Sequence, residues 1–368
     1  MKIALVLHDF DLKYGHGRYT VELARRLAPR HDVHVYANRF AVPLEANFTF
    51  QKVPAWRRTS LGTVLTFVRP AEKLLRRQSY DIIHAQGLSC WHADVITAHM
   101  CNAAKAQHLK PAQWHKRLFP LVVTRLERRF YQRTHAGHLI AISRQFGREI
   151  AAHYGWNKPA TVIYHGTDTE QFAPPASTEA RDQARARYQL KSDAWVWLFV
   201  GEAIKGLREV IEQLPRFPDA TLLVISRSPL EAFKEQARGL GVETRIQFWG
   251  VENSPALAYQ ASDVFVYPCR YEPFGLVVAE AMATELPVIV GQTVGAAEWI
   301  THQQNGLLCD PAQPDSLRQQ LEWLRIDNAR ARAVGRAARA TTLKHSWAAC
   351  AEATEAVYES VLRKRGSP

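Results

Sequence analysis

The sequence predicts an α/β protein built from two doubly wound, Rossmann-like domains. Short apolar runs alternate with helical patterns along most of the 368 residues, and such runs separated by helices are typical of parallel sheets covered on both faces. The length also exceeds what one hydrophobic core usually serves. The predicted strands are residues 3–7, 33–36, 82–84, 95–98, 139–142 and 162–164, followed by 195–200, 222–225, 246–249, 264–267 and 288–290.

Helical patterns fill the intervals and dominate the C-terminal part. The stretch 172–191 contains Pro174 and Pro175 and interrupts the β/α alternation, so it is interpreted as the connection between the domains. The predicted helices include residues 18–27, 144–153, 315–324, 328–343 and 347–365.

Composition excludes several classes of protein. Apolar residues make up 47% and charged residues 22% of the chain, which argues against wholesale disorder. The apolar runs fall short of the about 18 residues that a membrane-spanning helix needs. The five cysteines are scattered without metal-ligand spacing, which indicates reduced thiols in a cytoplasmic protein. The N-terminal apolar run is too short for a signal peptide and reads as a buried strand.

Positive charge is concentrated in the first half of the chain. Residues 1–165 hold 25 Lys and Arg against 10 Asp and Glu, whereas the remainder holds 22 against 25. This asymmetry favours a first domain that faces a polyanion or an anionic membrane; a merely basic, soluble surface is the alternative. A nucleic-acid-binding protein is the rival function class, but the sequence shows no recognisable helix-turn-helix, zinc or RNA-binding signature, so no nucleic acid is expected.

The most informative loop follows the predicted strand 264–267 and opens a helix. Gly275 allows close approach to the backbone, and the amides of Phe274, Gly275 and Leu276 predict an anion site at the helix N-terminus. Glu272 and Glu280 flank this site, and carboxylates there more readily accept hydrogen bonds from hydroxyls than contact phosphate. Phosphate together with hydroxyls is the signature of a nucleotide sugar.

The segment from Glu272 to Glu280, with 286–289 and 295–300, closely resembles the family-four retaining glycosyltransferases of the GT-B fold, also called group 1. Residues 15–17, 139–143, 162–168, 199–206 and 305–308 match further landmarks of that family. The resemblance implies two Rossmann-like domains facing each other across a cleft, with a final helix that crosses back to the first domain. The implied acceptor-side domain is 1–170 with 350–368, and the nucleotide-sugar domain is 171–349.

The resemblance also implies roles for single residues. Glu280 should bind ribose hydroxyls, Glu272 hydroxyls of the transferred sugar, and Lys205 the diphosphate. Gly17 should approach the same diphosphate, and His99 should face the transferred sugar. The implied catalytic residues are Glu272, His99 and Lys205, and the implied donor-binding residues are Gly17, Gly201, Lys205, Arg208, Glu272, Phe274, Gly275, Leu276 and Glu280.

Structural roles compete with some of these assignments. Lys205 could be a solvated lysine at a helix start, and His99 a structural histidine at a strand end; His84 is interpreted as scaffolding. The loop before Lys205 also departs from the family pattern, because Glu202 stands where an arginine is expected and the loop is about two residues short. A carboxylate beside a diphosphate is unfavourable unless it points away or pairs with Lys205 or Arg208. Either another basic residue substitutes, with Arg208 or Arg227 as candidates, or donor binding is unusually weak.

The reaction expected from the resemblance is retaining hexosyl transfer to a glycan or lipid-linked acceptor, in lipopolysaccharide or other cell-envelope glycan synthesis. No Asp-x-Asp pair follows a predicted strand and no His/Cys cluster has ligand spacing, so neither a metal nor another cofactor is expected. A nucleotide-sugar epimerase and a glycosyl phosphorylase are alternatives that share the fold.

Residues 114–133 predict a peripheral contact with an anionic membrane, at the inner face of the cytoplasmic membrane. A helix is expected to start near Pro120, since proline suits a first helical turn. The alternative is a helix packed on its own domain. The helix expected from Pro120 onward would carry an apolar stripe of Val122, Val123, Leu126 and Phe130, flanked by Arg125, Arg128 and Arg129, and Trp114 and Phe119 would precede it.

Overall fold

The computed structural model describes residues 1–13, 15–43, 48–108, 115–250, 252 and 255–366. The chain forms two compact units, Met1–Gly166 with Trp347–Pro368, and Thr167–Ser346. Each unit contains a parallel β-sheet, and helices connect several of its successive strands. Among the described residues, no helix combines the length and the apolar character needed to span a bilayer.

The first unit is built on a seven-stranded parallel sheet in the order β5-β3-β1-β6-β7-β8-β9. Its central strands are buried on both faces, which explains their continuous apolar sequence. A separate two-stranded sheet pairs β2 with β4. The strands are β1 (Lys2–Val6), β2 (Asp9–Phe10), β3 (Asp32–Ala37), β4 (Arg39–Phe40), β5 (Phe48–Lys52), β6 (Ile82–Gln86), β7 (Val95–Ala98), β8 (His138–Ala141) and β9 (Ala160–Val162).

One helix of the first unit, Arg144–Tyr154, has capping residues at both ends that the sequence makes recognisable. Ser143 caps this helix by accepting a hydrogen bond from the Phe146 amide at 3.2 Å, and Gly155 ends the same helix in the left-handed conformation. The C-terminal helix belongs to this unit. The helices are α1 (Gly15–Leu27), α2 (Ser60–Leu75), α3 (Asn102–His108), α4 (His115–Arg133) and α5 (Arg144–Tyr154), and the C-terminal helix is Trp347–Gly366.

The second unit contains a six-stranded parallel sheet. Strand order is β12-β11-β10-β13-β14-β15. The chain therefore adds strands first on one side of β10 and then, from β13 onward, on its other side. In such sheets ligands bind beyond the carboxyl ends of the strands, at the point where the strand order reverses. The strands are β10 (Trp195–Val200), β11 (Ala220–Ile225), β12 (Ile246–Trp249), β13 (Val264–Tyr267), β14 (Val288–Gly291) and β15 (Leu307–Cys309).

Seven helices accompany this second sheet in the described part of the chain. They are α6 (Thr178–Arg187), α7 (Leu207–Gln213), α8 (Glu231–Gly239), α9 (Ala256–Ala261), α10 (Leu276–Ala283), α11 (Pro314–Ile326) and α12 (Asn328–Thr342), after which the C-terminal helix is α13.

The stretch 172–191 is not a connection between the units, as the sequence had suggested, but part of the second unit. It contains α6, whose Arg185 is buried and donates a hydrogen bond to Asp263 at 2.8 Å. Arg181 also forms an ion pair with Asp263. The proline pair thus precedes an integral helix, and the units divide between Gly166 and Thr167.

Three local expectations were wrong. The strand predicted at 162–164 lies at Ala160–Val162, where it pairs with residues 139–141 of β8. Helix α4 begins at His115, so Pro120 lies beyond the first turn, where a proline removes a backbone hydrogen bond of the helix. The helix predicted over 18–27 begins earlier, at Gly15, so the family landmark at residues 15–17 is the first turn of α1.

Candidate functional site

Three segments meet at the carboxyl edge of the second sheet. Strand β10 is followed by Gly201 and a short 3₁₀ turn, Ala203–Lys205, whereas β13 leads into the loop that contains Glu272. Strand β14 leads into a second 3₁₀ turn, Gly295–Trp299. The sheet therefore brings together residues that are far apart in the sequence.

Lys205 and Glu272 form an ion pair in this edge. Lys205 Nζ donates to Glu272 Oε2 at 2.6 Å, and the hydroxyl of Tyr267 donates to the same oxygen at 3.3 Å. Burial acts to lower the pKa of Lys205, but the charge and hydrogen bond of Glu272 outweigh it, and the net pKa lies above its ordinary value. Lys205 is therefore a fixed positive charge, which excludes the interpretation as a freely solvated lysine.

The loop that carries Glu272 is held rigidly by the segment after β14. The Gly295 amide donates to the Glu272 carbonyl at 2.9 Å, and the Ala296 amide donates to the Phe274 carbonyl at 2.7 Å. A side chain at Gly295 would clash, since its Cβ would lie 2.1 Å from the Pro273 carbonyl oxygen. These contacts fix the backbone before a ligand is bound, as a preorganised site requires.

Helix α10 presents its N-terminus at the end of this loop. Gly275 has a φ of 97°, in the left-handed region that favours glycine. The first hydrogen bond of the helix runs from the Val278 amide to the Gly275 carbonyl at 3.0 Å. The amides of Gly275 and Leu276 precede that bond, so they point away from the helix ladder and can bind an anion.

Glu280 lies within α10 and is 5% exposed. The hydroxyl of Tyr259, from α9, donates to Glu280 Oε2 at 2.9 Å and also lies 3.3 Å from the Val277 carbonyl oxygen. Tyr259 and Tyr267 are not predictable as site residues from the sequence, because a tyrosine in a helix or strand carries no local sign that its hydroxyl reaches a carboxylate. Both tyrosines orient the two glutamates of the motif.

Glu202 and the two candidate arginines are exposed. Glu202 does not pair with Lys205 Nζ, which bonds to Glu272, but its charge contributes to the raised pKa of Lys205. Arg208 lies exposed in the first turn of α7, and Arg227 lies exposed after β11. The latter loop is tied to the site by Ser228, whose hydroxyl accepts from the Ala203 amide at 3.0 Å.

The cysteine closest to this site is a buried thiol. Burial, reinforced by the charge of Glu272, raises the pKa of Cys269 to about 12, so it remains protonated and is a poor nucleophile. In the described ranges, no group of three or more His, Cys, Asp or Glu side chains could hold a metal ion.

His99 lies in the first unit, directly after β7. Its Nε2 is 2.8 Å from Gln86 Oε1, and the rings of Tyr19 and His165 lie within 6 Å. Burial and the neighbouring histidines hold the pKa of His99 well below its ordinary value, so the imidazole is neutral. A neutral imidazole can exchange hydrogen bonds with a sugar hydroxyl but cannot supply positive charge.

Gly17 is required by packing within the first unit. A Cβ there would lie 2.5 Å from the Asp11 carbonyl oxygen, because α1 presses against the chain after β2. This close approach accounts for the glycine, and contact with a diphosphate stays a prediction.

Comparison with known families decides the class of protein. A family model described as Glycosyltransferase Family 4 matches residues 14–171, and one described as Glycosyl transferases group 1 matches residues 180–341. The chain belongs to the family-four glycosyltransferases. The predicted family and the predicted enzyme class are confirmed.

Relatives of this glycosyltransferase extend over its whole length. An uncharacterized glycosyltransferase of Methanocaldococcus jannaschii is 26% identical, and the match covers 100% of both chains. A D-inositol 3-phosphate glycosyltransferase of Corynebacterium diphtheriae is 27% identical over 97% of this chain and 94% of its own.

Solved structures confirm the GT-B fold of the glycosyltransferase. Sucrose-phosphate synthase from Thermosynechococcus elongatus has a TM-score of 0.83 at 21% identity, covering 99% of this chain and 100% of that one. WaaG, a glycosyltransferase involved in lipopolysaccharide biosynthesis, has a TM-score of 0.80 at 20% identity, covering 97% and 99%. Anabaena HepE in complex with UDP-glucose has a TM-score of 0.74 at 18% identity, covering 98% and 100%.

Proposed function

We propose that this glycosyltransferase moves a hexosyl group, with retention and without a metal ion, from a nucleotide diphosphate sugar to a glycan or lipid-linked acceptor of the cell envelope. The observation that carries the proposal is the arrangement of Lys205, Glu272 and the α10 N-terminus at one sheet edge. Cationic and amide donors there suit a diphosphate, and the adjacent carboxylate suits sugar hydroxyls.

Two observations support a nucleotide sugar as the donor. Glu280 is held by Tyr259 with its carboxylate fixed, which suits two ribose hydroxyls that need acceptors. HepE, which shares the fold, is described in complex with UDP-glucose. The identities of the base and of the sugar stay open, because Lys205, Glu272 and Glu280 are proposed to bind groups that nucleotide diphosphate sugars have in common.

The proposed reaction takes place on one face of the sugar. The acceptor hydroxyl attacks from the side of the leaving diphosphate, and a donor phosphate oxygen takes its proton. Lys205 and the amides of Gly275 and Leu276 stabilise the charge that develops on the leaving group. Because these groups supply positive potential, a divalent cation is not needed for that role. Glu272 holds the transferred sugar in the reactive orientation.

A lipid-linked acceptor is supported by α4, in the basic first unit. Leu121 and Val122 are 58% and 41% exposed, and Arg125, Arg128 and Arg129 are exposed beside them. Phe130, by contrast, is buried against Trp91, so the predicted apolar stripe divides between an inward and an outward part. Trp114 lies outside the described residues, as do the side chains of 115–120, including Phe119. The exposed apolar and basic side chains suit an anionic membrane surface.

Two named proteins similar to this chain support this acceptor class. WaaG is described as acting in lipopolysaccharide biosynthesis, and the corynebacterial relative as a D-inositol 3-phosphate glycosyltransferase. We infer a peripheral, cytoplasmic-face location for transfer to an anionic, lipid-linked glycan.

A screen of nucleotide sugars tests the proposal. The parent chain should be thermally stabilised by one nucleotide sugar and should slowly hydrolyse it. With a lipid-linked acceptor, the product should keep the anomeric configuration of the donor, as read by proton NMR. Transfer should survive excess chelator. Inversion of configuration, or activity lost with chelator and restored by magnesium or manganese, would refute the corresponding part of the proposal.

A further inference from the structure

A row of polar side chains runs along β6 and β7 in the sheet of the first unit. His84 and Gln86 lie two residues apart on β6, as do Thr97 and His99 at the end of β7, and Gln86 is in register with Thr97. Because alternate residues of a strand share a face, all four side chains lie on one side of the sheet. The hydroxyls of Tyr19 from α1 and Tyr358 from α13 complete the row.

His84 is fully buried at the centre of this row. Its Nδ1 lies 2.6 Å from the Tyr358 hydroxyl, and its Nε2 lies 2.7 Å from Thr97 Oγ1 and 3.4 Å from Gln86 Nε2. Burial lowers the pKa of His84 to about 3, so the ring is neutral and carries one proton. A carboxamide nitrogen can only donate, so His84 Nε2 accepts and the ring proton lies on Nδ1.

The carboxamide of Gln86 lies between the two histidines. With its nitrogen toward His84, its oxygen faces His99 Nε2 at 2.8 Å and can only accept, so the His99 proton lies on Nε2. The reversed carboxamide would move that proton to Nδ1. The buried Nδ1 of His99 has no hydrogen-bond partner in the described part of the chain, and an orphaned N–H is rarer in proteins than an orphaned acceptor.

We propose that Gln86, oriented by His84 and Tyr358, is a positioning residue that fixes His99 as the Nε2–H tautomer, so that Nδ1 accepts a hydrogen bond from a substrate hydroxyl. A lone pair at this position selects a hydroxyl and rejects a phosphate or carboxylate oxygen, which would face it with a second lone pair. The part that concerns substrate rests on the proposed function; the tautomer of His99 does not.

The surroundings of His99 keep it neutral. His16 and Tyr19 face it from α1, His165 from the chain after β9, and His84 from β6. Arg18 acts on the neighbouring His165. Burial and the histidines disfavour the imidazolium, so the acceptor at Nδ1 persists through neutral pH.

Long-range proton–nitrogen NMR correlations on full-length chain labelled at histidine test the tautomer, with His99 assigned from the spectrum of the His99→Gln variant. The parent should show His99 protonated at Nε2 only. Gln86→Leu should mix the tautomers, whereas Gln107→Leu, at an exposed glutamine, should leave them unchanged. A parent His99 protonated at Nδ1, or a tautomer unaffected by Gln86→Leu, would overturn the proposal.

A variant far from His99 provides an independent arm if Gln86→Leu fails to fold. Tyr358→Phe removes the acceptor for His84 Nδ1–H, so His84 should switch to its Nε2–H tautomer. The Gln86 carboxamide should then reverse, and His99 should become the Nδ1–H form. An unchanged His99 tautomer in folded Tyr358→Phe would contradict the proposed coupling of Tyr358 to His99 through His84 and Gln86.

Kinetics separate this proposal from the proposed function. Gln86→Glu places a carboxylate on His99 Nε2, which should raise its pKa and protonate Nδ1, so the transfer rate should fall at least tenfold from pH 8 to pH 6. The parent should fall much less. If the parent transfers no sugar at all, the proposed function fails while the NMR result still stands. Equal pH profiles with an active parent would overturn the positioning role alone.

Discussion

Lys205 Nζ and Glu272 Oε2 are 2.6 Å apart, so the phosphate-binding lysine and the sugar-binding carboxylate of the proposed site are each other's partners. Their side chains are 26% and 17% exposed, respectively, and water therefore screens the pair only partly. A diphosphate that binds to Lys205 must share it with Glu272. Substituting each residue of the pair separately should therefore have different effects on donor binding and on the transfer rate.

Glu272→Gln should lower the transfer rate without weakening donor binding. The variant keeps a carbonyl oxygen toward Lys205 but removes the negative charge, which leaves the ammonium more available to a diphosphate. Loss of a charged hydrogen bond to the sugar should reduce kcat about 10- to 100-fold. Glu209→Gln is the matched control, since Glu209 pairs with Arg270 in the same unit. Equal kcat values in the two variants would remove Glu272 from the reaction.

Glu280→Gln should raise the donor Kd about tenfold, because ribose hydroxyls lose a charged acceptor. Tyr259→Phe should have a smaller effect in the same direction, because Glu280 loses the hydroxyl that orients it. Tyr188→Phe is the control, since its hydroxyl contacts Glu252 at 2.6 Å instead. Calorimetric titration measures all three. If Glu280→Gln binds the donor as tightly as the parent, Glu280 does not bind the ribose.

Acid should destabilise the first unit through its buried histidines. Burial, as the largest cause, lowers the pKa of His8 to about 4 and of His84 and His165 to about 3. The unfolded chain therefore binds more protons than the folded one below pH 6.5, and the free energy of unfolding falls as the pH falls toward 4. Each histidine contributes up to about 1.4 kcal/mol per pH unit.

His8→Leu tests this linkage outside the proposed site. Urea unfolding at pH 7, 6 and 5 should show a pH slope reduced by roughly 1 kcal/mol per unit relative to the parent. His108→Leu, at an exposed histidine, should retain the parental slope. If His8→Leu also retains it, the neutral state of buried His8 is not a source of the pH dependence.

Membrane binding should depend on the exposed basic side of α4. Reversing Arg125, Arg128 and Arg129 to Glu should abolish sedimentation with anionic liposomes, since each basic residue contributes around 1 kcal/mol at low salt. Donor binding should persist. The control reverses Arg332 and Arg336, which are exposed on α12 of the second unit. Unchanged sedimentation in the triple variant would assign α4 to packing alone.

Buried strands were the most predictable part of the fold. Residues 195–200, 246–249 and 264–267 were predicted with the bounds that the structure shows, because each is a short, mainly apolar run. Strand β5 was missed because it lies at the sheet edge and only Phe48 is buried. Helix α2 was missed as well, and it contains Pro70 in its interior. A position at the sheet edge, as in β5, or a proline inside a helix, as in α2, weakens the local sequence pattern although the strand or helix still forms.

The site was predictable only where its residues are neighbours in the sequence. The segment from Glu272 to Glu280 combines a loop, a left-handed glycine and a helix start, all of which have local signatures. The hydroxyls of Tyr259 and Tyr267 reach these carboxylates through tertiary packing, which no spacing of residues in the sequence predicts. Gln86 likewise acquires its position only when β6 pairs with β7.

Donor binding to the Lys205→Ala variant tests the central claim most directly. Calorimetric titration with the nucleotide sugar that stabilises the parent should show a Kd raised about 10- to 100-fold, because the diphosphate loses a charged donor. Lys191→Ala, at an exposed lysine of the same unit, should bind like the parent. Parent-like affinity in folded Lys205→Ala would contradict the assignment of this sheet edge as the diphosphate site.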